Sequence, residues 1–101
     1  MTKVVHLSYG YDIYIGRAGK GKDGFWGNPY IIGKDGTRKE VIAKYEIYIK
    51  SKPEMMARLG ELKGKRLGCF CKPKEGFKGR LLCHGQILAG LADGVPPESI
   101  E

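Results

Sequence analysis

The sequence lacks any apolar run that approaches the ~20 residues a helix needs to span a bilayer. Its first residues, MTKVVHLSYGYD, also lack the long apolar stretch and the small-residue cleavage site of a signal peptide. We therefore expect a cytoplasmic protein with no membrane partner. Thiols stay reduced in that compartment, which favours metal-binding or catalytic cysteines over disulfides.

Side-chain amides are also scarce, whereas lysine and glutamate are abundant. Asn28 is the only asparagine and Gln86 the only glutamine. Because amides are thermolabile, this composition predicts a thermophilic source. The cytosol of hyperthermophiles tolerates disulfides, so a disulfide remains an alternative for the cysteines.

Acidic residues are outnumbered by basic ones, 11 to 18, so the net charge is +7. The basic side chains concentrate in residues 16–39 and 63–80, where few acidic ones accompany them. Such clusters attract polyanions and predict nucleic acid or a nucleotide as the partner; a basic surface without a partner is the alternative. The candidate phosphate-binding residues are Arg17, Lys20, Lys22, Lys72, Lys74, Lys78 and Arg80.

The first basic stretch holds two further candidates for contact with a nucleic acid. Trp26, next to Phe25, could stack on a base, although a lone tryptophan in such a loop more often fills the core. Asn28 could orient a substrate or serve as a turn residue. Arg17 could bind a phosphate or form an ion pair with Asp12.

A Gly-rich stretch, GRAGKGKD at residues 16–23, matches the first part of a phosphate-binding P-loop and then departs from it. Asp23 stands where the motif needs a serine or threonine for Mg²⁺. Gly27 and Pro29 follow, and they oppose the helix that the motif requires. We therefore predict no P-loop, although backbone amides of such a loop can still bind phosphate.

The length of 101 residues predicts one domain, which we place at residues 1–94, followed by a loose tail at residues 95–101. Residues 4–9 and 11–15 have the composition of strands, and the turn between them predicts a hairpin. Residues 65–71 predict a third strand. The fold class is α+β: a small, mostly antiparallel sheet covered by about three helices, in the order β-β-loop-α-α-β-α.

Capping signals mark the helices. Thr37 and Glu40 form a capping box before an apolar-periodic run. The same spacing recurs at Ser51 and Glu54 around Pro53, which predicts a second, shorter helix. The last helix is expected to begin near residue 83 and to end at residue 94, where a glycine stands.

The cysteines and one histidine gather in residues 69–84, and these ligand types predict a zinc site, although C-x-C and C-H are unusual spacings for one. Residues i and i+2 of a strand share a face, so Cys69 and Cys71 can reach one ion. Cys83 and His84 stand at a helix start, where neighbouring residues can converge because the cap is not helical. Zinc prefers four such nitrogen and sulfur ligands. His6 is an alternative fourth ligand.

Other roles for these cysteines stay open. They include an iron–sulfur cluster and a disulfide between Cys83 and either Cys69 or Cys71. A reactive thiolate is a further role, because a helix N-terminus and nearby cations would lower the pKa of Cys83. Buried cysteines packed as small hydrophobes are the remaining alternative.

Three groups of motifs resemble one known family. They are YIGR (residues 14–17) with WGNPY (26–30), GTRKEVIAKY (36–45), and LGCFC (67–71) with CHG (83–85). Together they resemble DUF4326, a family of phage and microbial proteins of unknown function, over about residues 4–93. The resemblance implies a compact domain with two signature loops and leaves its chemistry open. A phage-encoded member would act in the host cytoplasm.

These observations lead to three functional hypotheses. The first is a zinc-stapled module that binds nucleic acid or a nucleotide. The second is an enzyme acting on a nucleotide, nucleoside or modified base, with a pocket between residues 16–30 and the Cys/His cluster; the sequence does not decide whether the protein is an enzyme. The third is a phage adaptor or inhibitor that binds another protein.

Overall fold

The computed structural model describes residues 2–17, 24–70, 73 and 76–100. The elements follow the predicted order: β1 Lys3–His6, β2 Ile13–Tyr14, α1 Arg38–Lys50, α2 Pro53–Ala57, β3 Arg66–Cys69 and α3 His84–Asp93, with short 3-10 helices at Leu59–Glu61 and Pro97–Ser99. Within the described ranges, each helix is too short or too polar to cross a membrane.

The three strands of the described residues form one sheet in the order β1-β3-β2, and both pairings are parallel. Val4 of β1 and Ile13 of β2 both lie opposite Leu67 of the central strand. The predicted mostly antiparallel sheet is therefore wrong. So is the predicted hairpin, because β3 lies between the two N-terminal strands and pairs with each of them.

A glycine in the central strand explains how such a short connection joins two parallel strands. The chain turns directly after β1, where the Tyr9 N–H donates to the carbonyl of His6 at 3.0 Å. A Cβ atom on Gly68 would lie 2.6 Å from the Tyr11 ring and 2.9 Å from the Leu7 side chain. Because Gly68 has no side chain, residues 7–12 can pass over the face of β3 and start β2 in the same direction as β1.

The first helix confirms its predicted start. The Glu40 N–H donates to Thr37 Oγ1 at 3.2 Å, and the Thr37 N–H donates to Glu40 Oε1 at 2.9 Å. These two bonds satisfy donors that a helix N-terminus leaves without an intrahelical acceptor. The apolar face of α1 is buried as expected, at Val41, Ile42, Tyr45 and Ile49.

The second helix begins at the predicted proline, but its predicted cap is wrong. Pro53 takes the first helical position, and Lys52 is the N-cap without a side-chain bond. The Ser51 hydroxyl instead donates to the Tyr48 carbonyl at 2.7 Å, within the last turn of α1. Only Ser51 and Lys52 separate the two helices, and Ser51 caps the C-terminus of α1 instead of the N-terminus of α2.

The third helix packs against α1, β1 and β3 and forms the centre of the core. Its N-cap is Cys83, and it ends at Gly94, whose left-handed backbone (φ 70°) stops the helix as predicted. Gln86, fully buried, accepts from the N–H groups of Leu82 and Cys83. The tail expected to be loose carries Ile100, which is also fully buried.

Candidate metal centre and ligand pocket

A cavity of about 280 Å³ opens at the carboxyl ends of the parallel strands. Ligands commonly bind at this edge of a parallel sheet, because the loops that leave the strands meet there. Here β3 ends at Cys69, and β2 continues into Gly16 and Arg17, which line the cavity together with the start of α3. The YIGR and WGNPY motifs therefore share one cavity with the Cys/His cluster of Cys69, Cys83 and His84.

The imidazole of His84 has a defined tautomer. Its Nε2 lies 2.7 Å from the carbonyl oxygen of Ile15. A carbonyl oxygen can only accept, so Nε2 carries the proton and Nδ1 of the neutral ring carries a lone pair. Burial lowers the pKa of His84 to about 4, against the partly opposing effect of the Ile15 hydrogen bond. The ring is therefore neutral near pH 7.

The lone pair of His84 faces two sulfur atoms. Nδ1 lies 4.0 Å from the Sγ atoms of both Cys69 and Cys83, and the two sulfurs are 3.5 Å apart. All three side chains are buried, and their ligand atoms lie within 4.8 Å of one another. This group could hold a metal ion. Metal-binding histidines typically donate their second ring N–H to a carbonyl or carboxylate, as His84 does.

Whether this group can bind a metal ion depends on the oxidation state of Cys83. Cys83 is disulfide-bonded in this structure. Its partner is not Cys69, because 3.5 Å between the sulfurs far exceeds the ~2.05 Å of a disulfide. Metal ions bind thiolates, so a metal would enter this group in the reduced protein. Cys71, the remaining predicted ligand, lies outside the described residues.

The alternative ligand His6 is not part of this group. Within the described parts of the chain, the cluster able to hold a metal consists of Cys69, Cys83 and His84. His6 Nδ1 instead accepts from the N–H of Ser8 at 3.1 Å and lies 2.9 Å from its hydroxyl. The His6 ring lies nearly perpendicular to the Phe70 ring, outside the cluster.

Arg17 links the YIGR motif (residues 14–17) to the WGNPY motif (residues 26–30). Its Nε donates to the Asn28 carbonyl at 3.0 Å and its Nη2 to the Tyr30 carbonyl at 2.9 Å. A Cβ atom on Gly27 would lie 2.8 Å from the Gly16 carbonyl oxygen, so the two loops are in backbone contact. The expected alternative of an ion pair with Asp12 is not what the structure has, because Asp12 pairs with Arg66 at 3.4 Å.

Asn28 and Trp26 both take part in contacts that hold residues 26–30 against the rest of the fold. Asn28 Nδ2 donates to the Val41 carbonyl at 3.2 Å, and its Oδ1 accepts from the Tyr30 N–H at 2.9 Å. Trp26 is 5% exposed and belongs to the core. Its carbonyl accepts from the Tyr45 hydroxyl at 2.7 Å. The Asn28 amide and the Tyr45 hydroxyl thus tie the loop to α1, and Asn28 also lines the cavity.

Sequence reasoning did not select Arg38 and Phe70 as site residues. Arg38 is the first residue of α1, lines the cavity and donates from Nη1 to the Leu82 carbonyl at 3.0 Å. Phe70 follows β3 and lines the cavity at its mouth, with 69% of the residue exposed. The sequence signals that could have identified them are their positions within two of the family motifs, GTR for Arg38 and CFC for Phe70.

The other predicted phosphate-binding residues lie elsewhere. Lys78 and Arg80 are exposed on the turn before α3, and the cavity lining does not include them. The remaining candidates fall outside the described residues: Lys20, Lys22, Lys72 and Lys74. Their role in binding stays a prediction from the sequence.

Comparison with known proteins assigns the chain to a family. The family model DUF4326, a domain of unknown function, matches residues 3–94. The chain belongs to this family. It is 40% identical over 76 residues to an uncharacterised 12.4 kDa protein of the nrdA-td intergenic region of Enterobacteria phage T4. That match covers 68% of this chain and 60% of the phage protein. No solved structure matches the chain.

Proposed function

We propose that the reduced protein binds one zinc ion and, in the same cavity, a nucleotide. The observation that carries this proposal is that a single cavity is lined both by Cys69, Cys83 and His84 and by the arginines Arg17 and Arg38. The sequence left open whether the ligand is a nucleic acid or a nucleotide. A cavity favours the nucleotide, because a nucleic acid would be expected to bind a flat basic surface.

Zinc is supported by the types of ligand. Two thiolates and a neutral imidazole suit Zn²⁺ better than they suit Mg²⁺ or Ca²⁺, which prefer oxygen. The described trio leaves a fourth position, which Cys71 or a molecule in the cavity would take. The first arrangement would be a structural staple, and the second would be typical of a catalytic zinc.

A nucleotide is supported by charge and by shape. Arg17 and Arg38 bring two permanent positive charges to the lining, and guanidinium groups bind phosphate through two parallel hydrogen bonds. The long helices α1 and α3 both begin at the cavity, with Arg38 and His84 as their first residues. Their N-terminal dipoles add to the attraction for an anion. The apolar part of the lining comes from Ile32, Val41, Ile42, Phe70 and Leu82.

The described lining supports binding more directly than it supports general acid–base catalysis. The cavity walls in the described residues hold no carboxylate that could act as a general acid or base. Neutral His84 points its proton at Ile15 rather than into the cavity. The proposal is therefore one of binding, with chemistry at a zinc-bound water as its extension if the fourth position is open.

The zinc proposal is tested on reduced protein. After incubation with a phosphine reductant and zinc, desalting and elemental analysis should give one zinc per chain. Protein oxidised at Cys83 should retain none. Cobalt substitution should give the thiolate charge-transfer bands of a tetrahedral site. Cys71→Ser then separates a four-ligand staple from an open site: the staple loses affinity, whereas the open site keeps it. Reduced protein that retains no zinc would contradict the proposal.

The nucleotide proposal is tested by titrating the zinc-loaded protein with nucleoside monophosphates in a calorimeter. Arg38→Ala should weaken binding about tenfold or more, because a charge-assisted bond to phosphate is lost. Lys39→Ala is the matched control, since Lys39 is the exposed neighbour that does not line the cavity. Equal weakening in both variants would indicate general charge attraction instead. Tighter binding of single-stranded oligonucleotides, falling steeply with salt, would favour the nucleic-acid hypothesis.

A further inference from the structure

Phe70 is an exposed aromatic residue whose position the core does not explain. It is 69% exposed, while the neighbouring residues Leu67, Gly68 and Cys69 are all buried. An exposed phenyl ring does not gain the stabilisation that burial of its apolar surface normally provides. Here the ring lies at the mouth of the cavity and forms part of its lining.

The ring is held at a fixed place relative to the metal cluster. Phe70 directly follows Cys69, whose Cα pairs with that of His6 in the sheet. The His6 ring meets the Phe70 ring edge to face, with centroids 6.2 Å apart and an interplanar angle of 81°. His6 therefore supports one side of Phe70, at a distance set by the β1–β3 pairing.

The size of the cavity leaves part of a nucleotide outside. Its volume of about 280 Å³ is just below the ~300–1,000 Å³ of ligand pockets. Arg17 and Arg38 are exposed residues of the lining, as Phe70 is, so a phosphate bound by them lies at the open side of the cavity. A planar base attached to that phosphate would lie beside it at the mouth, where the exposed ring of Phe70 is part of the same lining. Aromatic rings are the usual platform for a nucleobase.

We propose that Phe70 is the base-stacking residue of this pocket, so that the ligand is a nucleotide with its base at the mouth and its phosphate at Arg17 and Arg38. This inference rests on the proposed nucleotide binding and adds the source of discrimination. Stacking requires a planar ring and tolerates any base, whereas the arginines recognise phosphate alone. Phe70 therefore separates nucleotides from inorganic phosphate.

The test compares two probes, AMP and inorganic phosphate, on the zinc-loaded protein and four variants. Phe70→Ala and Phe70→Leu should weaken AMP binding by about 5-fold to 150-fold and leave the affinity for phosphate unchanged. Phe70→Tyr, which keeps a planar ring, should bind AMP within about threefold of the parent protein. Tyr9→Ala is the control, because Tyr9 is 61% exposed but does not line the cavity.

The outcomes separate this inference from the function beneath it. If Phe70→Ala binds AMP like the parent while Arg38→Ala does not, the stacking role is overturned and nucleotide binding stands. If the parent protein binds phosphate and AMP with equal affinity, the stacking role is also overturned. If it binds neither, the proposed function itself is wrong. Thermal unfolding of each variant verifies that the exposed substitutions leave the fold intact.

Discussion

His84 donates its Nε2 proton to the backbone carbonyl of Ile15 across 2.7 Å, and this bond determines what the opposite side of the ring can do. Ile15 follows β2 and accepts from the side chain of the first residue of α3, so the bond links the sheet to the helix. It leaves the unprotonated Nδ1 directed at the sulfurs of Cys69 and Cys83.

Removing that imidazole should remove the metal. Loss of a residue that hydrogen-bonds to a metal ligand typically lowers metal affinity by ~10–100-fold. His84→Ala removes a ligand itself, so we expect it to lower zinc affinity by more than that. His6→Ala is the matched control, since it removes the other histidine and should leave zinc affinity unchanged. Competition with a chromophoric chelator under reducing conditions measures both. If the two variants lose affinity alike, His84 is not a ligand.

Filling the crossover at Gly68 should destabilise the fold. A methyl group there would lie 2.6 Å from the Tyr11 ring, so the connection between β1 and β2 must shift. We expect Gly68→Ala to lower the free energy of unfolding by about 1–3 kcal/mol, measured by urea denaturation. At Gly60 an added methyl group meets nothing within 4 Å, so Gly60→Ala should change little. Equal effects at both positions would refute the crossover argument.

Replacing the buried polar side chain of Gln86 should destabilise the fold. It is fully buried, accepts from the N–H groups of Leu82 and Cys83, and donates to the carbonyl of Arg80. Gln86→Leu leaves the buried Cys83 N–H and the partly buried Leu82 N–H without this acceptor, which costs about 2–4 kcal/mol in the free energy of unfolding. Urea denaturation of Gln86→Leu beside the exposed control Glu98→Gln measures this. A loss below about 1 kcal/mol would mean that other acceptors replace the amide.

Acid should weaken the tie between the N-terminus and α3. Hydrogen bonds from the Thr2 hydroxyl (2.6 Å) and N–H (2.9 Å) hold the pKa of Asp93 below its ordinary value. Because the folded pKa is the lower one, this stabilisation is present above pH ~4 and is lost as the pH falls through the folded pKa. Asp93→Asn should be less stable at neutral pH and lose less stability on acidification. Parallel stability–pH curves for the two proteins would contradict this.

Local features of the fold were predictable because their causes lie within a few residues. The capping box of Thr37 and Glu40 and the proline start of α2 each involve neighbours in sequence. Gly94 ends α3 through its own backbone angle. Ser51 shows the limit: its hydroxyl had two helix ends within reach, and the geometry of the junction decided between them.

The candidate site was predictable in part. The motifs drew attention to Cys69, Cys83 and His84, which the structure brings together, and to Arg17, which lines the same cavity. Arg38 and Phe70 were not selected, since an arginine in a helix's first turn and a phenylalanine beside a strand have ordinary local explanations. Their importance follows from the cavity that they share, and a cavity has no signature in one stretch of sequence.

By itself, the sequence determined which segments become helices and strands, where most helices begin, and which side chains could bind a metal. Tertiary structure alone decided that all three strands run in parallel, that β3 lies between β1 and β2, and that their carboxyl ends meet at one cavity. The reason is physical: strand direction depends on contacts between distant residues. Here Leu7 and Tyr11 close over Gly68, more than fifty residues away in the chain.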